Sequence, residues 1–226
     1  MTGGNVEAFS AGVTQPRRRI AAVVLAAGES RRMGGVNKLL LPLAGRPLVI
    51  RAVTAALKSQ ARPVVVVVGH QAEAVRLALA PLQSIAAKAA NSITVAHNPA
   101  FREGIASSIR AGITALPPGR DGAVFLLADM PWVEASHVDR LISAFDPAAG
   151  CTIAVATHQG RRGNPVLWGA QHFPALSRLS GDTGGRVLLS DRAGDVQEVT
   201  MPDAAVLADV DTPQDATTAT APTPSK

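Results

Sequence analysis

Ile20-Ala21-Ala22-Val23-Val24-Leu25-Ala26-Ala27-Gly28-Glu29-Ser30-Arg31-Arg32-Met33-Gly34-Gly35-Val36-Asn37-Lys38 decides how this chain folds. The stretch Ile20–Leu25 is apolar without a break. Such a run has no polar face, so it predicts a parallel strand buried on both sides. A loop rich in glycine and arginine follows at once. The end of the first strand of an α/β sheet is where nucleotides bind. Glycines let a ligand approach the backbone, and exposed N–H groups cradle phosphate oxygens. Arg32 and Lys38 would neutralise a triphosphate; Arg31 reads as solvent-facing. The loop is neither GxGxxG nor the Walker pattern GxxxxGK(S/T). On residue chemistry alone, phosphate binding and an ordinary strand–helix loop with surface arginines stand level.

Outward from this stretch the strand–helix alternation recurs. Arg46-Pro47 opens a helix through about Leu57, with Pro47 near its first position. Val64–Val68 is wholly β-branched and predicts a second central strand. Gln71–Leu79 reads as a helix, Ser92–Ala96 as a strand and Glu103–Ala115 as a helix. Ala123–Leu127 is a further apolar strand running up to Asp129, and His137–Phe145 is the next helix. The alternation then loosens. Cys151–Thr157 and Pro165–Trp168 read as strands joined by a basic, glycine-rich link. Gln171–Leu176 and Gly184–Ala193 read as helices, Val196–Val199 and Ala205–Leu207 as short strands. The pattern predicts an α/β fold, a Rossmann-like three-layer sandwich with a mostly parallel sheet and a small substrate-facing insertion.

Composition removes several function classes. The chain has 226 residues, which suits one α/β domain, and 47% of them are hydrophobic, which argues against global disorder. With no Tyr and 3% aromatic residues, it lacks the stacking rings of a single-strand nucleic-acid platform. One cysteine excludes an intramolecular disulfide framework and any multi-cysteine metal site. Cys151 sits in an apolar run and reads as buried. No two histidines have metal-ligand spacing, and no GxSxG nucleophile elbow occurs. Net charge is +5; setting aside Arg17, Arg18, Arg19 and Glu7 leaves +3, with no nucleic-acid stripe. The apolar run after the arginines stops at Gly28, and none approaches the roughly 20 residues that span a membrane. The expectation is a soluble cytoplasmic protein that engages neither membrane nor nucleic acid.

Two acidic groups stand out. Asp129, in Leu127-Ala128-Asp129-Met130-Pro131, follows an apolar strand at the edge where α/β sheets present catalytic groups. A carboxylate there can hold Mg²⁺ against phosphate oxygens; a helix N-cap is the alternative, but Pro131 leaves Asp129 early for a helix starting at Val133. Asp209-Val210-Asp211-Thr212-Pro213-Gln214-Asp215 forms the second group. In extended backbone Asp209 and Asp211 share one side. One would complete a Mg²⁺ site with Asp129 and the other would cap a final helix.

The glycine-rich stretch from Leu25 to Leu40 resembles the signature of MobA-like nucleotidyltransferases, and among them the molybdenum cofactor cytidylyltransferases. Leu127-Ala128-Asp129-Met130-Pro131 is similar to that family's Gly-Asp-Met-Pro, with Ala128 for the glycine. The segment from Asn98 to Arg110 resembles its Asn-Pro…Gly-Met-Ser-Ser-Ser-Leu-Arg, with Ile105 for Met and Ala106 for the first Ser. Gly160–Trp168, Gly181–Arg186 and Asp209–Pro213 resemble three further motifs in family order, so the likeness covers nearly all of residues 20–215.

This resemblance implies roles residue by residue. Leu25, Ala26, Ala27 and Gly28 would wrap the nucleotide, the two alanines leaning towards cytidine. Arg32 and Lys38 would contact its phosphates. Asp129 would bind Mg²⁺, with Asp209 as second ligand and Asp211 as the cap. Asn98, Ser107 and Ser108 would face the nucleotide; a water-exposed helix start is the equal alternative for the serines. Arg162, Asp182 and Arg186 would line a pterin-phosphate side, with Trp168 packed in the core. The implied reaction is transfer of CMP from CTP to molybdopterin cofactor, with pyrophosphate released and Mg²⁺ required. A monomer or weak oligomer would serve a molybdoenzyme or its chaperone. The alternatives are another nucleotide or acceptor, a cofactor-handling chaperone without catalysis, and an NAD(P)H-dependent oxidoreductase, because some proteins of this resemblance reduce nicotine blue. Residues 1–18 read as a mobile basic segment, 19–215 as the MobA-like domain and 216–226 as a disordered tail.

Overall fold

The opening apolar run forms β1 (Ile20–Ala26). The computed structural model describes residues 18–30, 33–34, 36–88, 91–211 and 215, with only the backbone at 88. After β1 come a small hairpin, β2 (Pro42–Leu43) and β3 (Arg46–Pro47), then α1 (Leu48–Lys58), β4 (Val64–Val68), α2 (Ala72–Lys88) and β5 (Ile93–His97). They are followed by α3 (Ile105–Thr114), β6 (Gly122–Leu127), α4 (Ala135–Ala144), β7 (Ile153–His158) and β8 (Arg161–Gly169). The last elements are α5 (Phe173–Ser177), α6 (Arg186–Asp191) and β9 (Val196–Thr200).

Among the described residues, seven strands form one sheet in the order β5-β4-β1-β6-β8-β7-β9. β1 lies parallel to β4 and β6, so Val23 stands between Val65 and Phe125. Only β8 runs against its neighbours, pairing antiparallel with β6 and β7. Successive side chains alternate between the two faces. Ala22, Val24, Val66 and Leu126 pack with Val53 of α1, Leu79 of α2 and Leu141 of α4. Ala21, Val23, Val65 and Phe125 pack with Ile109 of α3, Leu176 of α5 and Leu189 of α6. Helices therefore cover both faces, giving the three-layer sandwich. That is the physical reason β1 and β4 carry no polar residue.

The expected insertion is the β7–β8 hairpin, and it belongs to the main sheet. β8 pairs with β6 only from Val166 to Gly169. Its earlier residues, Arg161–Asn164, overhang the carboxyl end of β6 and reach the edge where the site lies.

Several local expectations change. Arg46-Pro47 is strand β3, paired with Pro42-Leu43, and helix α1 starts only at Leu48. Ala204–Leu207 is a three-ten turn rather than a strand, because the Asp203 carboxylate accepts the Ala205 N–H at 2.9 Å and starts a turn. Helix α2 continues past Leu79 because Leu82 packs against the core and Ala86 is buried, although Pro81 lies within it. Cys151 is half-buried, outside β7, with its thiol 3.8 Å from the Gln197 side-chain oxygen. Arg18 and Arg19 are not loose terminal charges. They pair with Asp146 at 2.9 Å and Asp121 at 3.2 Å, while Arg17 lies outside the described residues. No described helix is long and apolar enough to cross a membrane.

Two predictions follow from the packing. A Cβ on Gly163 would run into the Val206 carbonyl oxygen, where β8 touches the turn leading to Asp209. Gly163→Ala is expected to cost about 1–3 kcal/mol, seen as a lower melting temperature; an unchanged melt would show that the turn yields freely. The second concerns His172, buried against Trp168 with its Nε2 2.8 Å from the Thr152 hydroxyl. Burial pushes this imidazole below its ordinary pKa of 6.5. As pH falls below 6.5 the unfolded chain takes up the proton first, so stability is lost from there down to the folded pKa. His172→Gln should show a smaller fall in melting temperature between pH 7 and pH 5 than the wild type; an equal fall would refute the assignment.

Candidate active site

Strand β6 delivers Asp129 to the carboxyl edge of the sheet. The turn after it is tied to β1, since the Ala128 N–H donates to the Leu25 carbonyl at 3.1 Å. The Asp129 carbonyl in turn accepts the Val210 N–H at 2.9 Å. That bond brings the closing segment beside β6. Val210 buries its side chain with Leu43 and Leu48, so the extended backbone turns Asp209 and Asp211 the other way, both on one side. One carboxylate oxygen from each of Asp129, Asp209 and Asp211 lies within 4.8 Å of the others.

Lys38 enters from the glycine-rich loop. It begins a three-ten turn, Lys38–Leu40, capped by buried Asn37, whose side-chain oxygen accepts the Leu39 N–H at 3.1 Å. The Ser30 hydroxyl accepts the Lys38 N–H at 3.0 Å, and Leu39 anchors in the core. With its backbone held so, the Lys38 ammonium donates to Asp129 Oδ2 at 2.7 Å and Asp211 Oδ1 at 2.9 Å. Its side chain is 13% exposed. Burial alone lowers the ammonium pKa, but Asp129 and then Asp211 outweigh it and hold it above the usual value. Asp209 has no such bond. Desolvation against the cluster, then the charges of Asp211 and Asp129, push its carboxyl up although the residue stays exposed.

The structure thus groups all three aspartates, whereas the sequence reading set Asp211 aside as a cap. The Asp211 N–H donates to Asp215 Oδ2 at 3.0 Å, and its own carboxylate faces Lys38. Arg32 lies outside the described residues, as do Thr212, Pro213 and Gln214. Three carboxylates offer the hard oxygen donors that a small divalent cation prefers, so the residues present fit such an ion.

A cleft of about 300 Å³ opens beside the cluster, lined by Leu25, Ala27, Gly28, Lys38, Ser108 and Asp129 among others. Ala26 is not on it. Alternation turns its methyl into the core towards α1, leaving Ala27 as the cleft alanine. Asn98 donates to the hydroxyls of Ser107 at 2.9 Å and Ser108 at 3.1 Å, and Ser107 donates to the Gly104 carbonyl. All three residues are buried, which removes the water-exposed reading of the serines. Ser108 lines the cleft; Asn98 and Ser107 brace it from behind. Asp182 also lines the cleft, and its carboxylate accepts the Ile105 N–H at 3.2 Å, starting α3. Gly104 is needed at this junction. Its φ is +98°, and a Cβ there would lie 2.5 Å from the Gly181 backbone.

A second cavity, of about 460 Å³, shares Leu25, Ile105 and Leu127 with the first. Arg161, Arg162 and Arg186 line it, over Phe125, Trp168 and other apolar residues. Arg162 is held by Glu198 at 2.7 Å, whereas neither Arg161 nor Arg186 has an ion pair among the described residues. Trp168 is core, as expected, and also a wall of this cavity. Sequence reading missed Asn37 and Ser30 as supports of Lys38, although Asn37 adjoins it and Ser30 lies in the same loop. It also missed Arg161, which adjoins Arg162, and the Glu29–Arg102 pair, 3.1 Å apart, which joins two loops on the first cleft. That last pair links residues far apart in sequence and left no local signal.

The described arrangement can be set beside known proteins. The model of the MobA-like NTP transferase domain matches residues 22–199. The purine catabolism protein PucB of Bacillus subtilis is 32% identical over 198 residues, covering 87% of this chain and 93% of that protein. The nicotine blue oxidoreductase of Paenarthrobacter nicotinovorans is 32% identical over 200 residues, covering 85% and 92%. Among solved structures, Rv0371c of Mycobacterium tuberculosis has a TM-score of 0.74 at 28% identity, covering 90% of this chain and 97% of its own. A complex of Rv0371c with manganese gives 0.65 at 25% identity, covering 82% and 89%. The family match runs from β1 through the turn carrying Asp129 to β9, and the chain therefore belongs to the family of MobA-like NTP transferase domains.

Proposed function

We propose that this protein transfers CMP from CTP to the molybdopterin cofactor, releasing pyrophosphate, in a reaction that requires Mg²⁺. The observation that carries the reading is the cluster of Lys38 with Asp129, Asp209 and Asp211 at a cleft that adjoins a second, arginine-lined cavity. The manganese complex of Rv0371c supports a divalent cation in such a fold.

In this reading the first cleft takes the nucleotide. Backbone at Ala27 and Gly28 approaches it closely, and Ser108 contributes a hydroxyl. The second cavity takes the acceptor. Arg161 and Arg186 hold its anionic groups, and Phe125 and Trp168 offer apolar surface to its ring system. A phosphate oxygen of the acceptor attacks the α-phosphorus of CTP. The bond from that phosphorus to the oxygen bridging to the β-phosphate breaks, and pyrophosphate leaves with the electron pair. The attacking phosphate is already anionic, so no protein base is needed. Mg²⁺, held by Asp129 with Asp209 or Asp211, supplies Lewis-acid screening of phosphate charge. Lys38 meets charge that builds on the pyrophosphate side, and Arg32 is assigned there with it.

The test is pyrophosphate release with Mg²⁺, reduced molybdopterin cofactor and either CTP or GTP. Release with CTP well above that with GTP is expected. None at all, under conditions where a reference transferase works, overturns the reading. Asp129→Asn should lower turnover by about 10²-fold or more while the circular dichroism spectrum is unchanged.

A second reading, NAD(P)H-dependent reduction of a heteroaromatic acceptor, is favoured by the 32% identity to the nicotine blue oxidoreductase. It gives the carboxylate cluster no chemical task. NAD(P)H consumption that survives in Asp129→Asn would select it.

A further inference from the structure

We infer that the Lys38 ammonium is a built-in stand-in for the divalent cation, so that metal and nucleotide each promote binding of the other. This rests on the nucleotidyltransferase reading of the carboxylate cluster.

The geometry gives the reason. The ammonium lies 2.7 Å from Asp129 Oδ2 and 2.9 Å from Asp211 Oδ1, within a group of three carboxylates whose oxygens are within 4.8 Å of one another. A divalent cation held by Asp129 and its partners would sit within a few ångströms of that ammonium. Like charges at such spacing repel, and the two compete for the same oxygens. Metal entry therefore requires the ammonium to withdraw, breaking two charge-assisted hydrogen bonds.

The first cleft is open to that withdrawal. The Lys38 backbone is fixed by Ser30, by the Asn37 cap and by buried Leu39. Only the four-carbon stem can move, and Lys38 lines the first cleft as well as the cluster. With no anion in that cleft, the ammonium exchanges two carboxylates for water. With a triphosphate there, it exchanges them for phosphate oxygens. The nucleotide thus removes much of the cost of metal entry. By linkage, the metal raises nucleotide affinity by the same factor that the nucleotide raises metal affinity.

The experiment uses Mn²⁺ as probe and the full chain, with bound Mn²⁺ measured by electron paramagnetic resonance. Titrations are run with and without a non-hydrolysable CTP analogue, after correction for the Mn²⁺ the analogue binds alone. The wild type should bind Mn²⁺ at least about tenfold more tightly with the analogue than without. Lys38→Met should bind Mn²⁺ alone about tenfold more tightly than the wild type and lose most of the nucleotide enhancement. A general field effect would tighten binding equally in both conditions, so loss of the difference is the specific sign. Lys38→Gln repeats the measurement should the methionine variant fail to fold. Asp129→Asn, by weakening Mn²⁺ binding, shows that the probe reports this cluster. Unchanged enhancement in the Lys38 variants would overturn the inference while leaving the transferase reading in place. Absence of Mn²⁺ binding in every variant and condition would overturn both.

Discussion

A strand without a polar face must be covered on both sides, and β1 imposes that condition on everything around it. Its neighbours β4 and β6 are parallel to it, so the loops that leave their carboxyl ends gather on one edge. Helices from both layers then close over the sheet and leave that edge open. The glycine-rich loop, the Asp129 turn and the start of α3 meet there because the sheet allows them no other place. The site is a consequence of how the apolar residues are buried.

Charge is concentrated at this edge at some cost to the fold. Three carboxylates within one small volume repel one another, and at Asp209 desolvation first, then the charges of Asp211 and Asp129, push the carboxyl pKa up. Lys38 offsets part of that repulsion from within the same cluster. Binding a cation and an anionic nucleotide would complete the neutralisation that the folded chain leaves partial. Sites that must stabilise developing charge commonly carry such a preorganised imbalance.

Much of this was legible in the sequence because it depends on local pattern. The unbroken runs at β1 and β4 announce burial on both faces, and Asp129 announces itself by following one such run. Lys38 stood out as a cation beside a glycine-rich loop. What escaped depends on distant contacts. Asp211 joins the cluster because the Val210 N–H is bonded to the Asp129 carbonyl, a bond between segments that no local pattern pairs. Ala26 and Ala27 look equivalent as letters, yet the strand's alternation sends one into the core and the other to the cleft. The serines at Ser107 and Ser108 suit a solvated helix start equally well until Asn98 is placed against them. The Ala204–Leu207 turn was misread as a strand because a single aspartate cap outweighs a short apolar stretch.

The reversed strand β8 has a bearing on how such a protein can diversify. Its last residues are locked into the sheet by β6, but its first residues pair only with β7, across a register shift between Val155 and Thr157. The turn at Gln159-Gly160 is exposed. Insertions, deletions or charge changes at that tip would leave β1, β4 and Asp129 where they are. In the proposed reading, the half that would take a nucleotide is thus separate from the half that would choose what receives it. On that proposal, mutation at the tip would alter the arginine-lined cavity while leaving the carboxylate cluster untouched.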